Sequence, residues 1–477
     1  MVFTSLAFAV FLPVVFCLYW FVFGRSRRGQ NLLLLAASYV FYGWWNWKYL
    51  MLIAFTSFCS WAAGLLILRF RGKGKKALAV NVLNIVASLG ILCIFKYHDF
   101  FVSSFADAFL GGDRHGLLLN VLLPVGISFY TFQAIGYVID VYRGKVQPTR
   151  DIIQYFAYIS FFPQLVAGPI ERAGHLLPQF GQDRKFAYGT AADGLRQMLW
   201  GFFKKVVVAN ECAKYVDYVF AHAAALPGYT LLFGAIFFTF QIYSDFSGYS
   251  DIAIGCAKLF GFRLMQNFRV PFLSHDIAEF WRRWHISLTT WFRDYVYIPL
   301  GGSRCNKVKI LRNTFIVFLL SGLWHGANWT YIAWGGYNAL LFVPRILSGK
   351  KRRYPRSAAA GRVRIILTFL LVSAGFILFR SESIPAAWQY AKGIFSLGLG
   401  SIGLYWHKYL TVRQVVMIVS AIAVMSVAEY RNRDCEHGLY LGSVHSRALR
   451  WAIYIIISIV VCLCFDSGAN PFIYFQF

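Results

Sequence analysis

Two histidines lie where a polar group asks for a reason. Leu320-Ser-Gly-Leu-Trp324-His325-Gly326-Ala-Asn328-Trp329 ends a hydrophobic run on an imidazole followed by glycine, and Phe280-Trp-Arg-Arg-Trp-His285 sets a second imidazole among tryptophans. With a pKa of about 6.5, histidine is the side chain best suited to shuttle a proton at neutral pH. The chain has ten histidines, and one drawn at random serves packing or a loop more often than chemistry. Context singles out 285 and 325. A third segment, Gln241-Ile-Tyr-Ser-Asp245-Phe-Ser-Gly-Tyr249-Ser-Asp251, puts two carboxylates and several hydroxyls into an apolar run. At helical spacing Gln241, Asp245 and Tyr249 share one face, while Asp251 lies elsewhere. Ionisable groups inside a membrane cost on the order of a few kcal/mol and face a cavity or a partner. Either the two carboxylates are structural, buried as ion pairs with Arg282 and Arg283, or one works as acid or base with a raised pKa.

The stretch from Phe280 to Pro299 interleaves Trp281, Trp284 and Trp291 with Arg282, Arg283 and Arg293. Such a basic, aromatic, amphipathic segment can anchor at a membrane interface, or its arginines can bind the phosphates of a nucleotide-like donor. Gly398-Leu-Gly400-Ser-Ile-Gly403 matches a dinucleotide pattern only formally, because no strand–helix unit surrounds it. No metalloprotease, Walker or nucleophile-elbow motif is found, and nine scattered cysteines without paired spacing imply neither a zinc nor a disulfide framework. Neither a metal nor a bound cofactor is expected.

The elements that must position these residues are membrane helices. Of 477 residues, 58% are hydrophobic and 14% charged, and the apolar ones come in long unbroken runs. About 20 such residues span a bilayer as a helix, and Leu50–Leu68, Leu78–Phe95, Ile365–Phe379 and Trp451–Phe465 approach or meet that length. The runs lack the alternation of barrel strands, so the fold class is all-α and polytopic. The formal charge of +27, from 47 Lys and Arg against 20 Asp and Glu, sits in loops between spans and marks cytoplasmic sides rather than a nucleic-acid partner. Clusters at Arg25–Arg28, Arg69–Lys76, Lys350–Arg356 and Arg431–Arg450 then face inward, and both termini face outward. The first apolar run, Phe3–Phe23, has no basic leader and reads as a retained span. A single membrane-embedded domain fills 1–477, with a catalytic core at about 120–345, where short hydrophobic runs are broken by Gly, Pro, Asp, Arg and His. Irregular backbone at membrane depth survives only around a protein-lined or watery cavity.

Five segments resemble the membrane-bound O-acyltransferases, in the bacterial branch that O-acetylates alginate and other polysaccharides. They are Pro124-Val-Gly-Ile-Ser-Phe-Tyr-Thr-Phe-Gln133, Phe162-Pro-Gln-Leu-Val-Ala-Gly-Pro-Ile-Glu-Arg172, Gln241 to Asp251, Trp281-Arg-Arg-Trp-His285 and Trp324-His325-Gly326, in family order over most of the chain. The resemblance implies about 10–12 tilted helices around a funnel, with re-entrant or interfacial segments. It makes His325 the catalytic histidine and His285 the second motif position. It also implies a bacterial inner-membrane protein that moves an acyl group, acetyl above all, from a cytoplasmic thioester such as acetyl-CoA to the outer face. There an SGNH or esterase-like acetyltransferase partner places it on an extracytoplasmic polysaccharide.

On that reading His325 is the general base, and His285 or Asn328 holds the acyl carbonyl as charge develops on its oxygen. Asp245, Tyr249, Arg282, Arg283, Trp324 and Asn328 line the substrate path. The tail Phe472-Ile-Tyr474-Phe-Gln-Phe477 is aromatic where most termini are polar. It either anchors at the interface or folds back so that the Tyr474 hydroxyl accepts the acyl group, as a similar aromatic motif in this enzyme branch implies. Two alternatives remain: D-alanyl transfer to teichoic acid from a carrier-protein thioester, and a transporter or polymer-export channel.

Overall fold

The computed structural model describes residues 1–111, 117–166, 168–349, 357–396, 412–442, 444–465 and 472–473. Tyr474 lies outside the described residues, as does the 398–403 glycine pattern. The described residues are helical with no strand, and the protein is an all-α, multi-pass membrane protein. Trp47–Arg69, Gly74–Phe109, Ala358–Arg380 and Arg413–Arg431 are long and apolar enough to cross a membrane. They contain the runs expected at 50–68, 78–95 and 365–379. Leu6–Val22 is apolar but shorter, and the Arg447–Leu463 helix has 17 residues.

By internal contacts the chain forms two compact units, Met1–Leu195 with Ile252–Met265, and Arg196–Asp251 with Gln266–Phe477. The first holds two of the family-like segments, and both act as braces. Gly126 starts the Ile127–Tyr142 helix at φ 77°, and a Cβ there would meet the Leu165 carbonyl oxygen at 2.7 Å. Only glycine accepts both the left-handed backbone and the close approach. Inside the same unit Gln133 donates to the Tyr158 carbonyl at 3.0 Å, and Gln164 donates to that carbonyl at 3.1 Å and to Gln133 Oε1 at 3.2 Å. Buried Glu171 accepts from the Met265 N–H and pairs with His175 at 2.8 Å. Polar side chains inside a membrane protein must find partners, and these find one another and nearby backbone.

In the second unit the Lys307–His325 and Trp329–Ser348 helices form a tight hairpin. A Cβ on Gly322 would meet the Tyr331 carbonyl oxygen at 2.2 Å, and one on Gly335 the Phe318 carbonyl oxygen at 2.3 Å. Each helix presents a glycine to the other's backbone, the small-residue contact that lets membrane helices approach closely. Caps sharpen the hairpin's ends. Asn306 accepts from Lys309 N, and Asn328 from Thr330 N.

Candidate active site

His285 joins the short helices Ile277–Arg283 and Ile286–Phe292 in the left-handed region, at φ 43° and ψ 53°. A side chain there costs on the order of 1–2 kcal/mol and persists only where its surroundings fix it. Asn267 does the fixing. Its Nδ2 donates to Ser250 Oγ at 3.1 Å, its Oδ1 accepts from Ser287 Oγ at 2.6 Å, and its carbonyl accepts from Ile286 N at 2.9 Å. The backbone just after His285 is thereby tied to the long Gly228–Leu259 helix. The imidazole is held 1% exposed against the Phe246 ring, with centroids 4.6 Å apart. His285 lies outside the candidate spans, and burial pushes its imidazole down to about 3, so it is neutral at physiological pH.

His325 is the last residue of its helix, and Gly326 continues in extended backbone. A Cβ on Gly326 would meet Cε2 of Tyr331 at 2.1 Å, so any side chain in the turn after His325 would have to displace that ring. The buried His325 ring is boxed by Trp324, Trp334 and Phe379, at centroid distances of 5.0, 5.2 and 5.4 Å. His285 and His325 have centroids 6.2 Å apart, with Trp324 5.7 Å from His285. The two imidazoles therefore lie close together in a desolvated, aromatic setting, a separation that suits a base and a carbonyl-holding group.

The long helix places Gln241, Asp245 and Tyr249 at successive turns of one face. Its carboxylates are ion-paired, though not with the arginines. Lys205 Nζ lies 2.7 Å from Asp245 Oδ1, and Lys204 pairs with Asp251 and, at 3.5 Å, with Glu429. Gln197 adds a 2.8 Å bond to Asp251, and Tyr243 a 2.7 Å bond to Glu429. Arg283 instead binds Glu279 at 2.8 Å, and Arg282 is exposed. The expectation of Arg282 and Arg283 as partners is corrected because those arginines belong to a short helix whose own Glu279 is four residues away, whereas the lysines enter from the Phe203–Ala209 π-helical turn. Gly248 lets that turn come close, since a Cβ would meet the Gly201 carbonyl oxygen at 2.8 Å and the Lys205 N at 3.0 Å. The signal for these partners was in the sequence: Lys204, Lys205 and Glu429 each interrupt an apolar run, as Asp245 does.

The second oxygen of Asp245 reaches the far end of the chain. Ile473 N donates to Asp245 Oδ2 at 2.7 Å, and the Phe472 ring packs on Tyr249 at 4.7 Å and on Phe246 at 5.8 Å. Phe472 and Ile473 are 2% and 3% exposed. His285, His325, Trp324, Asp245 and Tyr249 thus form one contiguous group through Phe246 and Phe472, whereas Arg282 is exposed and Arg283 is bound to Glu279 and the Val270 carbonyl. Asn328 is also spent elsewhere, accepting from Thr330 N at 3.0 Å and donating to the Glu382 carbonyl at 3.1 Å. Its amide is a helix cap.

Residues 148–384 match the model of the membrane-bound O-acyltransferase family. The chain is 42% identical over 429 residues to "Probable alginate O-acetylase AlgI" of Pseudomonas aeruginosa, covering 89% of this chain and 81% of that protein. It is 31% identical over 522 residues to the peptidoglycan O-acetyltransferase of Helicobacter pylori, with 99% and 97% covered. The teichoic acid D-alanyltransferase of Bacillus subtilis is 28% identical over 284 residues, with 55% and 70% covered.

Proposed function

The chain belongs to the membrane-bound O-acyltransferase family and is an O-acyltransferase, and from that premise we propose that it carries acetyl groups across the bacterial cytoplasmic membrane for O-acetylation of an extracytoplasmic polysaccharide. Acetyl-CoA, or another cytoplasmic acetyl thioester, is the donor. It is polyanionic and stays inside, while its small acetyl group reaches the His285–His325 chamber. His325 takes the proton of the Tyr474 phenol, the phenolate oxygen attacks the thioester carbonyl, the C–S bond breaks, and the proton leaves on the released thiol. Neutral His285 donates a hydrogen bond to the carbonyl oxygen as it gains charge. The product is an aryl ester, active enough to acetylate the serine of a separate SGNH or esterase-like partner with no further energy source.

One observation carries this reading: the two residues before Tyr474 are buried in the site rather than spread on a surface, with Phe472 against the Phe246 ring that also touches His285. An interfacial anchor would leave them exposed to lipid. The test is Tyr474→Phe, which keeps the aromatic ring and removes the oxygen. Polysaccharide acetylation should fall to background at normal protein abundance, whereas parental acetylation would return the tail to a packing role.

Identity along essentially the full length to named O-acetylases, against a partial match to the D-alanyltransferase, favours acetyl over D-alanyl. Purified protein offered labelled acetyl-CoA or a D-alanyl carrier protein separates the two, and labelling from the carrier alone would reverse the preference.

A further inference from the structure

We propose that the Lys205–Asp245 pair is the dock of the acceptor tail: Asp245 is a positioning residue that fixes residue 474 by holding the backbone N–H of Ile473. This rests on the reading of Tyr474 as acceptor and adds how the two residues before it are held. The carboxylate divides its two oxygens. Oδ1 faces the Lys205 ammonium and Oδ2 accepts from Ile473 N, each at 2.7 Å. Lys205, Asp245 and Ile473 are each less than 5% exposed, so the bond competes with little water. A hydrogen bond to a charged, buried acceptor is among the stronger kinds. Lys205 aims the Asp245 carboxylate, and Gly248 admits the turn that brings Lys205 there. Flanking the bond, Phe472 packs between Tyr249 and Phe246, at 4.7 and 5.8 Å, which fixes the rotation of the segment as well as its depth. Because recognition is through a main-chain N–H, the dock reads the path of the chain and leaves the hydroxyl of the next residue free for chemistry. Consecutive Cα atoms are about 3.8 Å apart, so holding residue 473 confines residue 474 to within one residue of the dock.

Asp245→Ala removes the acceptor but leaves Lys205 buried without its carboxylate and can cost folding. Ile473→Pro removes the donor N–H, and also fixes φ at that residue, but leaves both members of the ion pair in place. The full-length protein in detergent is compared by amide exchange of the tail peptide and by acetyl incorporation into that peptide from acetyl-CoA. In the parent the Ile473 amide should be protected. In Asp245→Ala protection of the Ile473 amide should fall by at least about tenfold, with loss of tail acetylation; Ile473→Pro has no amide hydrogen at 473 and is read by loss of tail acetylation alone, while exchange around the Lys307–His325 helix stays parental in both. Unchanged protection in Ile473→Val identifies the donor rather than side-chain size as the cause. Parental protection of the tail peptide in Asp245→Ala, or full tail acetylation in folded Ile473→Pro, would overturn the dock. If the parent tail is protected but never acetylated, the acceptor reading fails while the exchange result still decides the dock.

Discussion

The segments at 124–133 and 162–172 and those at 241–251, 281–285 and 324–326 look alike in sequence, each a polar interruption of an apolar run. They spend their polar atoms differently. In the first unit Gln133, Gln164 and Glu171 direct their hydrogen bonds to one another, to His175 and to backbone carbonyl and amide groups. In the second unit the equivalent interruptions bring two imidazoles to 6.2 Å and turn one carboxylate oxygen toward a distant piece of chain. The two groups of segments therefore differ in what their polar groups are set against, and not in how polar or family-like each segment is.

The difference is sharpest at His325. His325→Ala should lower acetylation by on the order of 10²–10⁴-fold, the usual contribution of a positioned general base, with the protein still in the membrane at parental abundance. Acetyl content of the polysaccharide, normalised to immunoblotted protein, measures it. Gly326→Ala comes next, since a methyl at 2.1 Å from the Tyr331 ring must displace either that ring or the end of the His325 helix. It should cost about 1–3 kcal/mol of stability, seen as a lower detergent melting temperature, together with most of the activity.

Asn267→Ala addresses what holds His285. It removes both side-chain bonds, to Ser250 and Ser287, and keeps only the backbone bond from Ile286 N, so it should reduce turnover on the order of 10–100-fold through misplacement of the imidazole, with the mutant still extractable as a monodisperse protein. Gln164→Ala is its counterpart in the first unit. It leaves buried groups without their bonds at about 1–3 kcal/mol, so abundance and melting temperature should fall while acetyl transfer per folded molecule stays within about twofold. A specific-activity loss matching that of Asn267→Ala would erase the distinction between the two groups of segments. The smallest effect is expected at Asn328, where Ser retains the cap and Ala should cost about 1 kcal/mol of stability without a fall in turnover.

Much of this was legible from residue types. Apolar runs gave the all-α membrane class because a bilayer leaves the backbone few options. His325 and His285 stood out because an imidazole among tryptophans needs a reason, and Gln241, Asp245 and Tyr249 shared a face because helical spacing is fixed. The partners were harder. Arg282 and Arg283 were chosen for Asp245 and Asp251 because they are basic and near in sequence, yet pairing followed the close helix approach that Gly248 permits, which brings Lys204 and Lys205 from some forty residues upstream. Asn328 looked like a carbonyl-holding group because it follows the histidine, but a helix starts there and its first turn needs a cap. Such features depend on where helices begin and how near they come, which local composition does not state.

The most direct test is a single-turnover experiment on purified parent and His325→Ala protein with acetyl-labelled CoA, followed by mapping of the label. The parent should carry acetyl on Tyr474 before any acceptor polysaccharide or partner is added, with one thiol released per label, and His325→Ala should carry none. Label on Tyr474 at equal rates in both proteins, or thiol release in the parent with an unlabelled tail, would contradict a histidine-driven transfer to the tail tyrosine.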